Sequence, residues 1–433
     1  MNTGKITLSR PPSCNMRVST LADWLAWQET LHPKAIDLGL ERVGAVAEIL
    51  GVRRPAPLVI SIAGTNGKGS SLALLEAILE AAGLRVGAYS SPHLLRYNER
   101  IRLAGREVDD AGLIESFARI DQARGEVSLS YFEFGTLAAL DIFHREKVEV
   151  ALLEVGLGGR LDAVNVVDAD CALLTTIGID HSDWLGDDRE AIGREKAGIF
   201  RPAAPAVCAD PQPPQSVRRQ AAAIGAEWHA LGEDFDFRRQ AGGWDWQGPD
   251  CAWRDLPLPA LPGEHQLRNA AGALMVLAAL RDRLPVEAAA IEQGLRRVRL
   301  AGRFQRREGA VERIVDVAHN PQAAEALAGL LALRPVAGRT LGVCGMLADK
   351  DVEGVAGALA GRIDRWLLGS TPGARGLPAA QLAGRLQAAG IEAEAVGSVA
   401  QAWRTALDAA RPGDRVVGFG SFHSVAEILA LGL

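Results

Sequence analysis

Residues 58–83 constrain the fold more than any other stretch. An apolar, β-branched run, Leu58–Ala63, stops at the turn Gly64-Thr65-Asn66-Gly67-Lys68-Gly69-Ser70, and an Ala/Leu-rich helical pattern then runs to Gly83. Strand, glycine loop, lysine and helix form the arrangement that wraps backbone N–H groups around a nucleotide phosphate. The glycines leave room for close approach of a phosphate, Lys68 supplies a point charge, and Thr65 or Ser70 supplies a hydroxyl for phosphate or metal. The common spelling of this loop has Ser or Thr directly after the lysine. Here Gly69 intervenes. A tight turn with a surface lysine is the plain alternative, and the flanking strand and helix weigh against it.

The same alternation extends along the chain. Strand patterns at Leu58–Ala63, Arg85–Tyr89, Val148–Glu154 and Cys171–Ile177 interleave with helical patterns at 70–82, 109–123, 133–146 and 188–197. Such alternation implies a parallel sheet covered by helices on both faces, with ligands gathered at the carboxyl ends of its strands. Loop 64–69, Ser90-Ser91, Glu154 and segment 178–181 all fall at such ends. Between about 205 and 262, proline clusters flank short alternating stretches such as Trp244-Asp245-Trp246, which predicts a small antiparallel excursion. A helix is expected at 264–283, and from about 300 a second α/β series, with strands near 313–317, 340–344, 365–368, 392–396 and 415–419. The expected fold is therefore α/β: a P-loop parallel-sheet domain with a small antiparallel excursion, residues 1–298, and a second Rossmann-like α/β domain, residues 299–433.

At 433 residues the chain is too long for one core, in keeping with two domains. A net charge of −6 argues against general nucleic-acid affinity, so anionic ligands must be held by local cations. Five scattered cysteines (14, 171, 208, 251 and 344) without a C-x-x-C pair read as reduced thiols. The first twenty residues lack the apolar centre of a signal peptide, and no run is long enough for a membrane span. A cytoplasmic protein with a mobile first dozen residues is expected.

Three further segments carry chemistry. In Leu152–Asp162, Glu154 ends a buried strand beside a glycine turn, which suits a magnesium ligand or a strand-capping partner of Arg160. In Gly178–Gly186, His181 reads as a metal donor, a general base or a satisfied structural residue. Downstream, Lys196 lies among small residues of a helix, and its plain reading is a surface lysine. In the second series, Asp316, His319 and Asn320 end a strand before a helix, where Asn320 or His319 would also serve as a cap. Arg303 follows the inferred linker and could reach across a cleft toward a nucleotide, coupling closure to catalysis.

Taken together these residues resemble the folylpolyglutamate synthase/dihydrofolate synthase family of the Mur-ligase-like group. The resemblance runs from Ile36–Arg42 to Gly420–Ser424 and includes the loop 64–70, Ser90–Leu94, Asn98–Ile101, Tyr131–Phe134, Gly263–Ala270 and Gly345–Asp351. It implies that Gly64, Thr65, Asn66, Gly67, Lys68, Gly69, Ser70, Asn269, Arg303 and Asp316 hold ATP. It implies magnesium ligation by Ser91, Glu154 and His181, and carbamylation of Lys196 to help bind a second magnesium. Asp37, Leu38, Tyr131, Phe132, Glu133, Phe134, Leu161, Asp162 and Ala163 match the pteridine-side pocket, and Lys68, His181 and Lys196 the catalytic group.

The expected reaction is ATP-dependent addition of L-glutamate to dihydropteroate and to reduced folates through an acyl phosphate, by a monomer that binds neither nucleic acid nor membrane. Folylpolyglutamate synthesis alone is the narrower alternative, and a Mur-type amino-acid ligase the more distant one. Only 63 residues precede Gly64, too few for the UDP-sugar domain of a cell-wall Mur ligase. A regulatory GTPase would need an Asn-Lys-x-Asp guanine reader, which does not occur.

Overall fold

The computed structural model describes residues 19–34 and 36–433. The expectations for the first dozen residues and Cys14 lie outside the described residues.

The first sheet has eight strands: β1 (Leu58–Ala63), β2 (Val86–Tyr89), β3 (Ile101–Leu103), β4 (Arg106–Glu107), β5 (Val150–Glu154), β6 (Cys171–Leu174), β7 (Pro205–Cys208) and β8 (Glu227–Ala230), in the order β4-β3-β2-β5-β1-β6-β7-β8. All pairings from β2 to β8 are parallel, and only the hairpin β3–β4 and its junction with β2 are antiparallel. Every residue of β1 is buried, with Val59 and Ala63 in the core on one face and Leu58, Ile60 and Ile62 in the core on the other. A continuous apolar strand rather than an alternating one is what a sheet covered on both faces requires.

A three-stranded antiparallel sheet follows: β9 (Asp236–Arg239), β10 (Trp244–Gln247) and β11 (Ala252–Leu256). Trp244 and Trp246 of β10 are fully buried, and their indole N–H groups donate to the carbonyls of Pro257 and Ala271. The excursion is shorter than its expected start at 205. Strands β7 and β8 are parallel members of the first sheet, joined by the helix Gln215–Ile224. The proline cluster at 211–214 precedes that helix, with Pro214 at its N-cap, so these prolines start a helix rather than break up a strand region.

The second sheet has the order β12-β13-β17-β14-β15-β16, from β12 (Gln305–Arg307), β13 (Glu312–Val315), β14 (Thr340–Cys344), β15 (Arg365–Ser370), β16 (Ala393–Ser398) and β17 (Arg415–Phe419). It is parallel except for β12, and separate cores lie on its two faces. The helix Ala288–Arg297 still packs on the first unit, against the helix Lys68–Ala81. No helix among the described residues is long and apolar enough to cross a membrane.

Candidate active site

The glycine loop leaves β1 at the middle of the first sheet, between β5 and β6, where the chain reverses its direction of strand addition. Gly64 has φ 151°, and a Cβ there would lie 1.8 Å from Thr175 Oγ1. Gly67 has φ 90°, and a Cβ would lie 2.4 Å from Asn269 Oδ1. Both positions therefore admit only glycine. The turn is tied to the end of β6: Thr175 and Thr176 hydroxyls donate to the Asn66 carbonyl at 2.7 and 3.0 Å, and Thr65 Oγ1 donates to Gly178 O at 2.9 Å. Gly67 caps the helix Lys68–Ala81 without a side-chain bond, so the first N–H groups of that helix remain free to meet an anion.

Around the loop lies a cavity of about 1110 Å³ between the carboxyl edges of the two large sheets. Every residue of 64–70 lines it, as do Asn269, Arg303, Asp316, Ser91, Glu154, His181 and Lys196. Lys68 Nζ rests on the Gly64 and Thr65 carbonyls at 3.1 and 3.3 Å, and Lys196 Nζ donates to Gly64 O at 3.0 Å. Lys196 is buried, and this burial together with the Lys68 charge pushes its pKa down to about 7, so the surface-lysine reading does not hold. Burial raises the Glu154 pKa, opposed by Lys68 and Arg303. The Ser91 N–H donates to Glu154 Oε2 at 3.4 Å. Burial also drives His181 down to about 4, leaving a neutral imidazole suited to metal donation.

Arg303 is half-buried beside Asp316, Glu154 and the Phe422 ring, whose centroid lies 5.3 Å from the guanidinium carbon. Asp316 is fixed by the Phe304 and Ala318 N–H groups at 2.7 and 2.8 Å. Among the described residues no three His, Cys, Asp or Glu side chains form a metal-holding group on their own. Glu154, Ser91 and His181 all line the cavity and are the oxygen and nitrogen donors there that could hold a magnesium ion. Gly69 lies next to them: a Cβ there would meet Glu154 Oε2 at 3.6 Å and Arg303 Nη2 at 3.8 Å, ordinary contact distances.

The far end of the cavity is lined by Asp37, Leu38, Phe132, Glu133, Leu161, Asp162 and Ala163. Asp162 accepts from the Leu157 and Val164 N–H groups at 2.8 and 3.0 Å, and burial raises its pKa to about 6. Ser130 and Glu133 form a reciprocal cap that starts the helix Tyr131–Arg145 at the cavity wall. Arg42 bridges Asp37 Oδ2 at 2.6 Å and Glu133 Oε1 at 3.1 Å, docking loop 36–39 onto that helix start. Phe134 departs from expectation. Two residues past Phe132 the helical turn carries it away from the cavity, and its ring packs on Trp27 and Phe117 in the core. Tyr131 does not line the cavity either; it reaches it through Arg100, which stacks on its ring at 5.6 Å.

A family model described as Mur ligase middle domain matches residues 62–277, and one described as Mur ligase, glutamate ligase domain, matches residues 302–422. The dihydrofolate synthase/folylpolyglutamate synthase of Escherichia coli is 47% identical over 411 residues, 95% of both chains. That of Haemophilus influenzae is 44% identical, over 95% of this chain and 98% of its own. The chain belongs to the dihydrofolate synthase/folylpolyglutamate synthase family. Its fold follows members solved with ligands. The E. coli protein in complex with DHPP and ADP superposes with a TM-score of 0.91 at 47% identity, covering 95% of this chain and 97% of that one. A bifunctional member with Mn, AMPPNP and L-glutamate bound gives 0.89 at 48% identity, covering 95% and 98%.

Sequence reading missed the clasp that closes this family member's cavity. Asp180, beside His181, pairs with Lys350 and lies 3.4 Å from His319 Nε2. Burial works against the Asp180 charge, yet His319 and Lys350 hold its pKa far below the usual carboxylate range. Asn66 Nδ2 donates to Asn320 Oδ1 at 3.1 Å and to Gln322 Oε1 at 2.7 Å. These bonds join residues as far as 256 positions apart, and no local pattern announces them.

Proposed function

We propose that this chain is an ATP-dependent ligase that adds L-glutamate to dihydropteroate, giving dihydrofolate, and to tetrahydrofolate, extending its γ-linked tail. The observation that carries this reading is the single cavity that runs from a phosphate-binding glycine loop to an aromatic and carboxylate pocket at Phe132 and Asp162. The division at 298/299 assigns the loop and pocket to the first domain and Asp316 to the second, so the reaction takes place where the two meet. The relatives' complexes with ADP, AMPPNP, Mn, DHPP and L-glutamate support the same reading.

A carboxylate is a poor electrophile. The acceptor's carboxylate oxygen attacks the γ-phosphorus of ATP, ADP leaves, and a mixed anhydride results. The free N–H groups of the helix Lys68–Ala81, the Lys68 ammonium and the Arg303 guanidinium face the charge that develops on the transferring group. The neutral amine of glutamate then attacks the acyl carbon, and phosphate departs with one oxygen of the original carboxylate. Ser91, Glu154 and His181 would hold a magnesium ion, which would supply further neutralisation of phosphate charge. Lys196 has the chemistry of a carbamylation site: its neutral amine would attack the carbon of CO₂ and lose a proton, and the new carbamate would offer a carboxylate to a second ion. Closure through Asp180, Lys350 and the Asn66–Asn320 bonds would keep water from the anhydride.

Incubation of the purified chain with ATP, magnesium, L-glutamate and each acceptor separately, followed by mass analysis, tests the reading. Mono-glutamylated product is expected from both acceptors. Product from tetrahydrofolate alone would reduce the function to folylpolyglutamate synthesis, and product from neither would refute the assignment.

A further inference from the structure

Four arginines line the cavity, and two of them face carboxylates: Arg303 lies beside Asp316 and Glu154, and Arg375 pairs with Asp349 at 2.7 Å. Arg268 lies beside Asn269 on the helix that covers the glycine loop, at the nucleotide end. Arg100 is different in kind. It is half-buried, and its Nε donates to His93 Nδ1 at 2.8 Å. The guanidinium carbon lies 5.3 Å from the Tyr97 ring centroid and 5.6 Å from that of Tyr131. Among the described residues Arg100 has no carboxylate partner and no hydrogen bond through either Nη. A cation oriented by an imidazole and two aromatic rings, lining the cavity with no carboxylate paired to it, is a site for an anion of the acceptor.

Its place along the cavity selects which anion. The His93 imidazole, two residues past Ser91, holds it from the phosphate end, and Tyr131, next to Phe132, holds it from the pteridine end. Dihydropteroate ends in one carboxylate, the one that reacts. Tetrahydrofolate ends in glutamate, whose γ-carboxylate reacts and whose α-carboxylate must be accommodated without being activated.

We infer that Arg100, held by His93 and stacked on Tyr97 and Tyr131, binds the unreacting α-carboxylate of a folate's terminal glutamate and so serves chain extension rather than dihydrofolate formation. The inference rests on the ligase reading above. Removing a bidentate guanidinium–carboxylate pair from a partly buried site weakens binding at least about tenfold.

The test compares wild type, Arg100→Gln and Arg100→Lys with dihydropteroate, with tetrahydrofolate, and with a tetrahydropteroyl acceptor in which 4-aminobutyrate replaces glutamate, keeping the γ-carboxylate but lacking the α one. For Arg100→Gln the ratio of kcat/KM for tetrahydrofolate to that for dihydropteroate should fall at least tenfold, mainly through KM, with partial return in Arg100→Lys. The 4-aminobutyrate acceptor should be used poorly by wild type, and the substitution should cost it no further loss relative to dihydropteroate. A parallel fall with all three acceptors would overturn the inference by placing Arg100 on the reacting carboxylate or in the general structure. An unchanged ratio would overturn it as well. Failure of wild type to glutamylate any acceptor would instead refute the ligase reading, so the two failures are distinct.

Discussion

Lys196 shows what burial does to a single amine. Read in sequence it is a lysine among small residues of a polar helix; in the fold it is enclosed, one hydrogen bond from Gly64 O, with Lys68 for a neighbour. A pKa near 7 leaves much of the amine uncharged at neutral pH, the form that reacts with CO₂. Replacement by alanine should lower kcat by about a hundredfold, in line with loss of one aligned electrostatic group. Acetate or another short carboxylate should restore part of that loss if the working group is a carbamate; rescue by short amines instead would show that the free amine is what matters. Glu80 offers a second residue-scale check, on stability. Burial, with the nearby Glu76 charge, raises its pKa from 4.5 to about 7. The folded protein therefore binds this proton more tightly than the unfolded chain does, and it loses stability as the pH rises from about 4.5 through about 7. Glu80→Gln should match wild type in melting temperature at pH 4.5 and exceed it at pH 8; equal melting temperatures at both values would contradict the assignment. Residue identities at the glycine loop were legible in the sequence because the chemistry is contiguous there. Phe134 was misplaced because four consecutive residues of one motif cannot all face the same side of a helix.

At the scale of elements, the helix Lys68–Ala81 positions the phosphate end of the cavity, and the close approach of Ala288–Arg297 sets where it lies. Gly294 marks that approach: a Cβ there would lie 2.5 Å from Ile78 Cγ1 and 2.6 Å from Ile78 Cα. Gly294→Ala gains helix propensity on one helix but must force the two helices apart. Overpacking of this kind costs about 1–3 kcal/mol. A lower melting temperature with a raised KM for ATP is expected; a melting temperature above that of wild type would mean the helices relax freely. Strands β1, β14 and β17 were readable to the residue because each is a short, fully buried and mostly apolar run between turn signals. β7 and β8 were not, since four-residue strands on either side of the proline cluster at 211–214 resemble the start of the antiparallel excursion until their parallel pairing is seen. The β3–β4 hairpin escaped for a related reason: strands of three and two residues carry no period to detect.

The whole molecule closes on its cavity through pairings that no sequence pattern shows. Asp180 and Lys350 come from the two halves of the chain and meet almost without exposure to water, at 10% and 6% side-chain exposure. Removing one member of a buried pair leaves the other charge uncompensated. Lys350→Ala should therefore open the cleft, seen as a larger radius of gyration by small-angle scattering, and slow turnover at least about tenfold because closure precedes chemistry. An unchanged scattering profile with slowed turnover would place Lys350 in the chemistry rather than in the clasp. The convergence of four loops on one sheet edge could be foreseen because parallel strands fix which end carries function. How the second sheet meets that edge depends on long-range packing and could not. The proposed ligation requires a carboxylate activated by phosphoryl transfer before glutamate attacks. Dihydropteroate labelled with ¹⁸O in its carboxylate, turned over with ATP and L-glutamate, measures that step directly. One labelled oxygen should appear in each inorganic phosphate released, whereas phosphate free of label, with dihydrofolate still formed, would contradict the acyl phosphate.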